Sequence, residues 1–392
     1  MTQDLAIVAG NEPMNFELTD ELKQVQQAAA AFADEVVAPV AADLELREEF
    51  PADLIRKAAD LGFMGMLVPK EYGGSELGNM ALTLMLVELN RACASTGVTV
   101  SVHNSLATAP LIKFGTEEQK KKFLPKLASG EMLGAYALTE PHCGSDAAAL
   151  TCSAVRDGDH FVLNGVKSWI TQGNEADLLI VYARTDKESK TKGISCFLVE
   201  TSTPGFSAAK KEDKLGIRAS PTVEVVFEDC RVPAANMLGP ENEGFPIAMN
   251  TLDGGRVGIA SQSIGLAQAS LDAAVGYARE STRDGKPVAK SQAVQHKLAE
   301  MATRIDAATL LTYRASILRD AKKPHSTEAS KAKLFSSQTA NFCAREAAAV
   351  LGPDAIRRRH LVERFLRDAR ITEIYEGTTE IQKLVIARGL LR

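Results

Sequence analysis

The chain has 392 residues, 45 of them Lys or Arg and 50 Asp or Glu, and its net charge of −5 comes from intermixed signs rather than blocks. That balance excludes a basic nucleic-acid stripe and an acidic solvating tail, so a small-molecule substrate is expected; the length allows two or three domains or one large enzyme unit. Cys93, Cys143, Cys152, Cys196, Cys230 and Cys343 lack paired metal spacing and are too sparse for a disulfide framework, which predicts reduced thiols and no metal centre.

No apolar run reaches the ~18 to 20 residues that a membrane-spanning helix requires. The opening Met1-Thr2-Gln3-Asp4 lacks an export or organelle signature, so the expected location is the cytoplasm. Residues 16 to about 133 read as helices. After Thr19, a candidate cap, Leu22, Val25, Ala29, Phe32 and Val36 alternate steps of three and four along one face, and Pro39 is expected to stop the helix. Leu54, Ile55, Ala58 and Leu61 repeat the pattern before Gly62. Residues 80–98 are apolar on most sides apart from Glu88, Asn90 and Arg91, which predicts one helix buried between others. Thr116 with Gln119 forms a capping-box pattern.

Around Gly134 the period changes. Asp157-Gly158 and Asn164-Gly165 predict hairpin turns between strand-like runs at 151–155, 161–163 and 166–170, with further runs at 178–183, 194–199 and 222–227. From about Phe245 helical patterns return, and residues 260–278, 294–318, 328–350 and 361–374 are Ala- and Leu-rich, as a bundle of long antiparallel helices requires. No linker or repeat divides the chain. The expectation is an α+β fold packed as one rigid body: an N-terminal helical domain over residues 1–133, a central β domain over 134–242 and a C-terminal four-helix bundle over 243–392.

Chemistry concentrates in four stretches. Residues 367–382 read as two helical pieces joined at Gly377, with Glu376 alone beside the break. A carboxylate after Ile374 and Tyr375 and before a glycine can sit at a turn in a partly apolar pocket, where desolvation raises its pKa and suits it to general-base work. A helix-end Glu on a solvated face is the blander alternative. In the run from Tyr136 to Asp146, Thr139, Gly144 and Ser145 let backbone N–H groups and hydroxyls approach a flat polar ligand, although plain loop chemistry has the same composition. Trp169, the only Trp, follows a predicted strand and precedes Ile170 and Thr171; core packing is its commonest use. Asp253 and Arg256 bracket two glycines and could form a polar turn or a salt bridge without function.

In order and spacing these stretches closely resemble the signatures of flavin-dependent acyl-CoA dehydrogenases, over about residues 15 to 392. Residues 212–218 and 371–388 look most similar to short-chain, butyryl-type members. The resemblance implies an acyl-CoA dehydrogenase fold and FAD-dependent α,β-dehydrogenation of a short- or medium-chain acyl-CoA to the trans-2-enoyl-CoA, a step of fatty acid β-oxidation. Glu376 would remove the pro-R α-proton while the β-hydrogen leaves as hydride to flavin N5. Its backbone N–H and the FAD ribityl 2′-hydroxyl would stabilise charge on the carbonyl. The family's flavin contacts fall on Tyr136, Leu138, Thr139, Gly144, Ser145, Trp169, Ile170 and Thr171, and further FAD contacts on Gln292, Thr378 and Glu380. Its substrate contacts fall on Ser145, Asp253, Arg256, Tyr375 and Gly377. Isovaleryl-type relatives place their base at the position of Gly255, so a single base at Glu376 is expected. Electrons would pass to electron-transferring flavoprotein.

The resemblance fails at two places. An Arg-x-x-Phe-Gly pattern reads Ser281 and Asp284 before Gly285, and a Gln-x-x-Gly-Gly-x-Gly-Tyr pattern begins at Ala349 and carries Pro353, Ala355 and Ile356. Both patterns serve the distal half of FAD in a neighbouring subunit. Losing a guanidinium opposite a diphosphate removes a bidentate contact, and Asp284 adds repulsion unless Arg283 or Lys286 compensates. Either a related subunit supplies the missing groups in a heteromer, or a homo-oligomer such as a homotetramer compensates locally. A reading of another class is an FAD-poor, acyl-CoA-binding subunit with a structural or regulatory role. An acyl-CoA oxidase is a third, against which the expected end at Arg392 counts.

Overall fold

Thr19 opens the first helix of the computed structural model, which describes residues 17–358 and 360–391; the readings placed on Met1 to Asp4, on residue 16 and on Arg392 lie outside it. The Thr19 hydroxyl accepts the Leu22 N–H at 3.3 Å and caps α1 (Asp20–Phe32). Pro39 does not stop the run. The chain passes through a π-helical turn, Ala33–Val37, into α2 (Ala38–Arg47), which puts Pro39 in a first turn where its missing N–H costs little. After α3 (Ala52–Asp60), the single buried helix expected over residues 80–98 is two, α4 (Gly78–Ala92) and α5 (Ala94–Val102), because Cys93 is extended at φ −153°. A second π-helical stretch, His103–Thr108, leads into α6 (Ala109–Phe114). The expected capping box opens α7 (Glu117–Ala128), with Gln119 N donating to Thr116 Oγ1 and Thr116 N to Gln119 Oε1.

The central strands are β1 (Gly134–Ala137), β2 (Ser153–Asp157), β3 (His160–Thr171), β4 (Leu178–Arg184), β5 (Ile194–Glu200), β6 (Phe206–Lys211) and β7 (Thr222–Pro233). They form one sheet in the order β1-β4-β2-β3-β7-β6, with β5 pairing on β4. Asp157-Gly158 makes the predicted hairpin between β2 and β3. Asn164-Gly165 does not. There β3 continues, and its register with β7 slips between Leu163 and Gly165. The Asn164 side chain bonds the Asp229 N–H and carboxylate of β7 instead of closing a turn.

α8 (Gly244–Glu280) is the spine of the C-terminal part, and Asp253 to Arg256 lie inside it rather than in a turn. A two-strand hairpin, β8 (Thr282–Arg283) and β9 (Lys286–Pro287), turns the chain into α9 (Gln292–Asp320), α10 (Ser326–Leu351), α11 (Leu361–Ile371) and α12 (Thr379–Leu390). α8 packs on α9 and α10, α11 lies against α8 and α10, and α12 lies against α10. The same α8 touches α4 and α5 on one side and β5 on another, so it meets all three regions. Asp320 at the end of α9 accepts the Asn79 and Met80 N–H groups at 2.7 and 2.9 Å, a carboxylate placed on the positive end of α4. All six cysteines are buried and free, and among the described residues no helix is long and apolar enough to cross a membrane.

Candidate active site

Between α11 and α12 the chain makes a turn with Glu376 at φ +51° and Gly377 at φ +93°. Left-handed backbone at a glutamate is uncommon and persists where its surroundings hold it. The Gln382 side-chain amide donates to the Glu376 carbonyl at 3.2 Å and to the Gly377 carbonyl at 2.8 Å, and Lys333 Nζ donates to the Gly377 carbonyl at 2.7 Å. The turn sends the Glu376 side chain against α8 at Gly255. A Cβ there would sit 1.9 Å from Glu376 Oε2 and 2.8 Å from Leu106 Cδ2, so the glycine provides the carboxyl's space. Oε2 is buried without a hydrogen-bond partner. Burial raises the Glu376 pKa to about 7, against the pull of Lys333 and then Arg256.

Beside the carboxyl, Val98, Val102 and Leu106 form an apolar cluster closed by Tyr136 and Tyr375. The Tyr375 hydroxyl donates to Gln262 Oε1 on α8. Asp253 and Arg256 pair at an i, i+3 spacing on α8, and Ser326 Oγ donates to the same Asp253 oxygen at 2.9 Å. Arg256 Nε is buried and unpartnered; burial lowers this guanidinium's pKa, while Asp253 and Glu376 oppose the shift.

Tyr136 links this cluster to the sheet. On β3, Trp169 has φ +61° and is 59% exposed, which is not core packing. Ile170 and Leu138 are buried, whereas Gly144 and Ser145 are exposed and Thr139 and Thr171 half-buried. Two bonds strap β3 to the 138–140 segment: the Ser168 N–H to the Thr139 carbonyl at 2.9 Å, and Lys167 Nζ to the Leu138 carbonyl at 3.0 Å. Lys167 also pairs with Glu140 at 2.8 Å, both fully buried, and although burial opposes it the Lys167 charge holds the Glu140 carboxyl below its usual range. Glu140, His142 and Cys143 bring candidate ligand atoms within 4.8 Å of one another, but that ammonium already occupies the carboxylate.

The remaining expected positions are spread out. Thr378 caps α12 and Glu380 is exposed in its first turn. Gln292 is exposed at the start of α9, past the far end of α8, ~38 Å along that helix from Gly255. Asp284 is exposed in the β8–β9 hairpin, and the adjacent Arg283 donates to the Val350 carbonyl at 2.9 Å, beside Gly352 and Pro353. Lys333, Gln382, Gln262 and Lys167 were not singled out by their sequence. The available signal for Lys333 is a charge on a face that otherwise reads Ala329, Ala332, Ser336 and Ala340, all buried.

Three family models cover the chain in order: acyl-CoA dehydrogenase N-terminal domain over residues 19–131, middle domain over 135–230 and C-terminal domain over 242–391. The mitochondrial short-chain specific acyl-CoA dehydrogenase of Mus musculus is 48% identical over 376 residues, 96% of this chain and 91% of that protein. Butyryl-CoA dehydrogenase from Megasphaera elsdenii superposes with a TM-score of 0.95 at 41% identity, covering 97% of this chain and 100% of that one. A structure from work on the electron transferring flavoprotein of Acidaminococcus fermentans and flavin-based electron bifurcation gives 0.96 at 43% identity, covering 97% and 100%. The chain belongs to the acyl-CoA dehydrogenase family, oxidoreductases that act on the CH–CH bond of an acyl-CoA.

Proposed function

We propose that Glu376 is the general base of a short-chain acyl-CoA dehydrogenase that binds FAD and passes electrons to electron-transferring flavoprotein. The observation that carries the reading is the buried, unpartnered Oε2 held against Gly255, with a pKa of about 7. A base poised near neutrality takes a proton from a weak carbon acid more readily than an exposed carboxylate would. Here the ionised form faces Lys333 and Arg256, and the protonated form is tolerated by the apolar wall of Val98, Val102 and Leu106. That wall suits a short acyl chain, and the unpartnered Arg256 Nε offers a donor to a polar acyl-CoA carrier. The Glu376 backbone N–H is the chain's candidate donor to the thioester oxygen, whose developing charge needs a fixed partner.

The exposed Trp169 side chain, on a backbone held at positive φ, together with the hydroxyl-bearing Thr139, Ser145 and Thr171, none of them fully buried, suits a flat polar group such as the flavin ring. FAD, when bound, supplies the acceptor for the β-hydrogen as hydride. The Lys167–Glu140 pair keeps the two segments of this shelf in register.

A second reading, an FAD-poor subunit of a heteromeric dehydrogenase, is favoured by Asp284 and Pro353 at positions where the family binds the distal half of FAD. Arg283 argues the other way, because its guanidinium lies between the β8–β9 hairpin and the end of α10 and can supply charge locally. We therefore favour a homo-oligomer, with a cytoplasmic location as part of the reading, to be checked by gel filtration and cell fractionation. Glu376→Gln keeps the shape and removes the base. It is expected to lower turnover about 10²- to 10⁴-fold with FAD and acyl-CoA still bound; wild-type turnover in that variant would sink the assignment.

A further inference from the structure

Lys333 sits on α10 with its side chain wholly buried. Burial without a partner is costly for an ammonium, and it lowers the Lys333 pKa to about 8. Yet Nζ donates to a carbonyl, that of Gly377, and not to a carboxylate. The Gln382 amide already donates to the same carbonyl and to that of Glu376. A neutral clamp is therefore in place, and the second clamp differs from it by carrying charge.

The charged and titratable groups around this point come from four elements. α8 brings Arg256 and Asp253, β1 brings Tyr136, the turn brings Glu373, Tyr375 and Glu376, and α12 brings Glu380. Two cations act on the Glu376 carboxyl, Lys333 more strongly than Arg256. Arg256 is already tied to Asp253, whereas Lys333 points its charge at the turn itself.

We propose that Lys333 is a positioning residue for the base, pinning the turn that carries Glu376 and supplying the positive charge that favours its ionised form. The proposal rests on the assignment of Glu376 as the base.

The test uses the FAD-loaded protein and two readouts across pH: turnover of butyryl-CoA, and exchange of its α-protons into D2O, which follows the base without requiring net oxidation. Lys333→Gln keeps a donor near the Gly377 carbonyl and removes the charge. Its acid limb is expected to move up by about one pH unit in both readouts, so that at pH 6 it loses ~10-fold more rate than at pH 9. FAD content stays close to wild type. Lys333→Met shows the same shift with a further loss at every pH, because the turn is loosened as well.

A purely structural lysine would lower rates by one factor at all pH values. An unmoved acid limb in Lys333→Gln, or failure of both variants to fold, would overturn the proposal. Glu376→Gln separates the two claims. Exchange lost in that variant with an unmoved limb in Lys333→Gln defeats the Lys333 role alone, whereas exchange retained in Glu376→Gln defeats the base assignment on which both rest.

Discussion

Glu376 keeps its proton in the folded chain over a pH range where the unfolded chain has released it, since burial moves its pKa from 4.5 to about 7. Between these values the folded state binds the extra proton, so stability is fully present below 4.5 and falls as pH rises through 7. Under the proposed role, turnover is expected to follow the opposite sign, rising through pH 7 as Glu376 ionises. Glu376→Gln mimics the protonated form and is expected to raise Tm relative to wild type at pH 8 while leaving it unchanged at pH 4; equal differences at both would deny the carboxyl its burial cost. Gly255→Ala tests the space instead. Its Cβ would overlap Glu376 Oε2, and a misplaced base is expected to lose on the order of 10²-fold in turnover with FAD content unchanged. Glu376 and Trp169 were singled out by the resemblance, since the residues alone left Glu376 open to a solvated helix end and Trp169 to core packing; the structure buries Oε2 of the first and exposes the second. Lys333 was not singled out. It follows Lys331 in an Ala-rich helix, and only the register of α10 decides which of the two lysines faces inward.

At the level of elements, β3 carries the shelf and its anchoring pair. Lys167→Met would leave the Glu140 carboxylate buried beside Thr151 and Cys152 without its cation, at a cost of about 3–5 kcal/mol. Thermal denaturation at pH 7 is expected to show that loss, and Glu140→Gln in the same chain is expected to recover part of it; no change in the single variant would mean that the pair is idle. The sheet's existence, the β2–β3 hairpin and the long C-terminal helices follow from periodicity and turn chemistry. Three local details do not. Pro39 was absorbed by a π-helical turn, Cys93 broke a uniformly apolar run through its backbone conformation, and Asn164-Gly165 became a bulge because β7 pairs across it. Each is decided by a partner distant in sequence, or by backbone geometry that composition does not encode.

For the whole molecule, α8 brings the Glu376 turn, the α5 wall and the Asp253–Arg256 pair onto one rod, with Tyr136 of the sheet closing the cluster. Under the proposed function, Val98 and Val102 of α5 line the acyl-chain site. Val102→Ala is expected to raise kcat/KM for longer acyl-CoAs relative to butyryl-CoA by roughly 10-fold, the scale of a methylene or two in an apolar pocket; an unchanged ratio would move the floor of the pocket elsewhere. The resemblance puts the distal FAD contacts in a neighbouring subunit, so Ser281, Asp284, Ala349 and Pro353 leave two assemblies open in the sequence; what the structure adds for Arg283, already a candidate for compensation, is its bond to the Val350 carbonyl. The most direct measurement is anaerobic titration of the purified, FAD-containing chain with butyryl-CoA, followed by its visible absorption, in wild type and Glu376→Gln. The account predicts that wild type is isolated yellow and bleaches with substrate, while the variant stays yellow. A colourless wild-type chain that cannot take up FAD, or a variant that bleaches as wild type does, would contradict it.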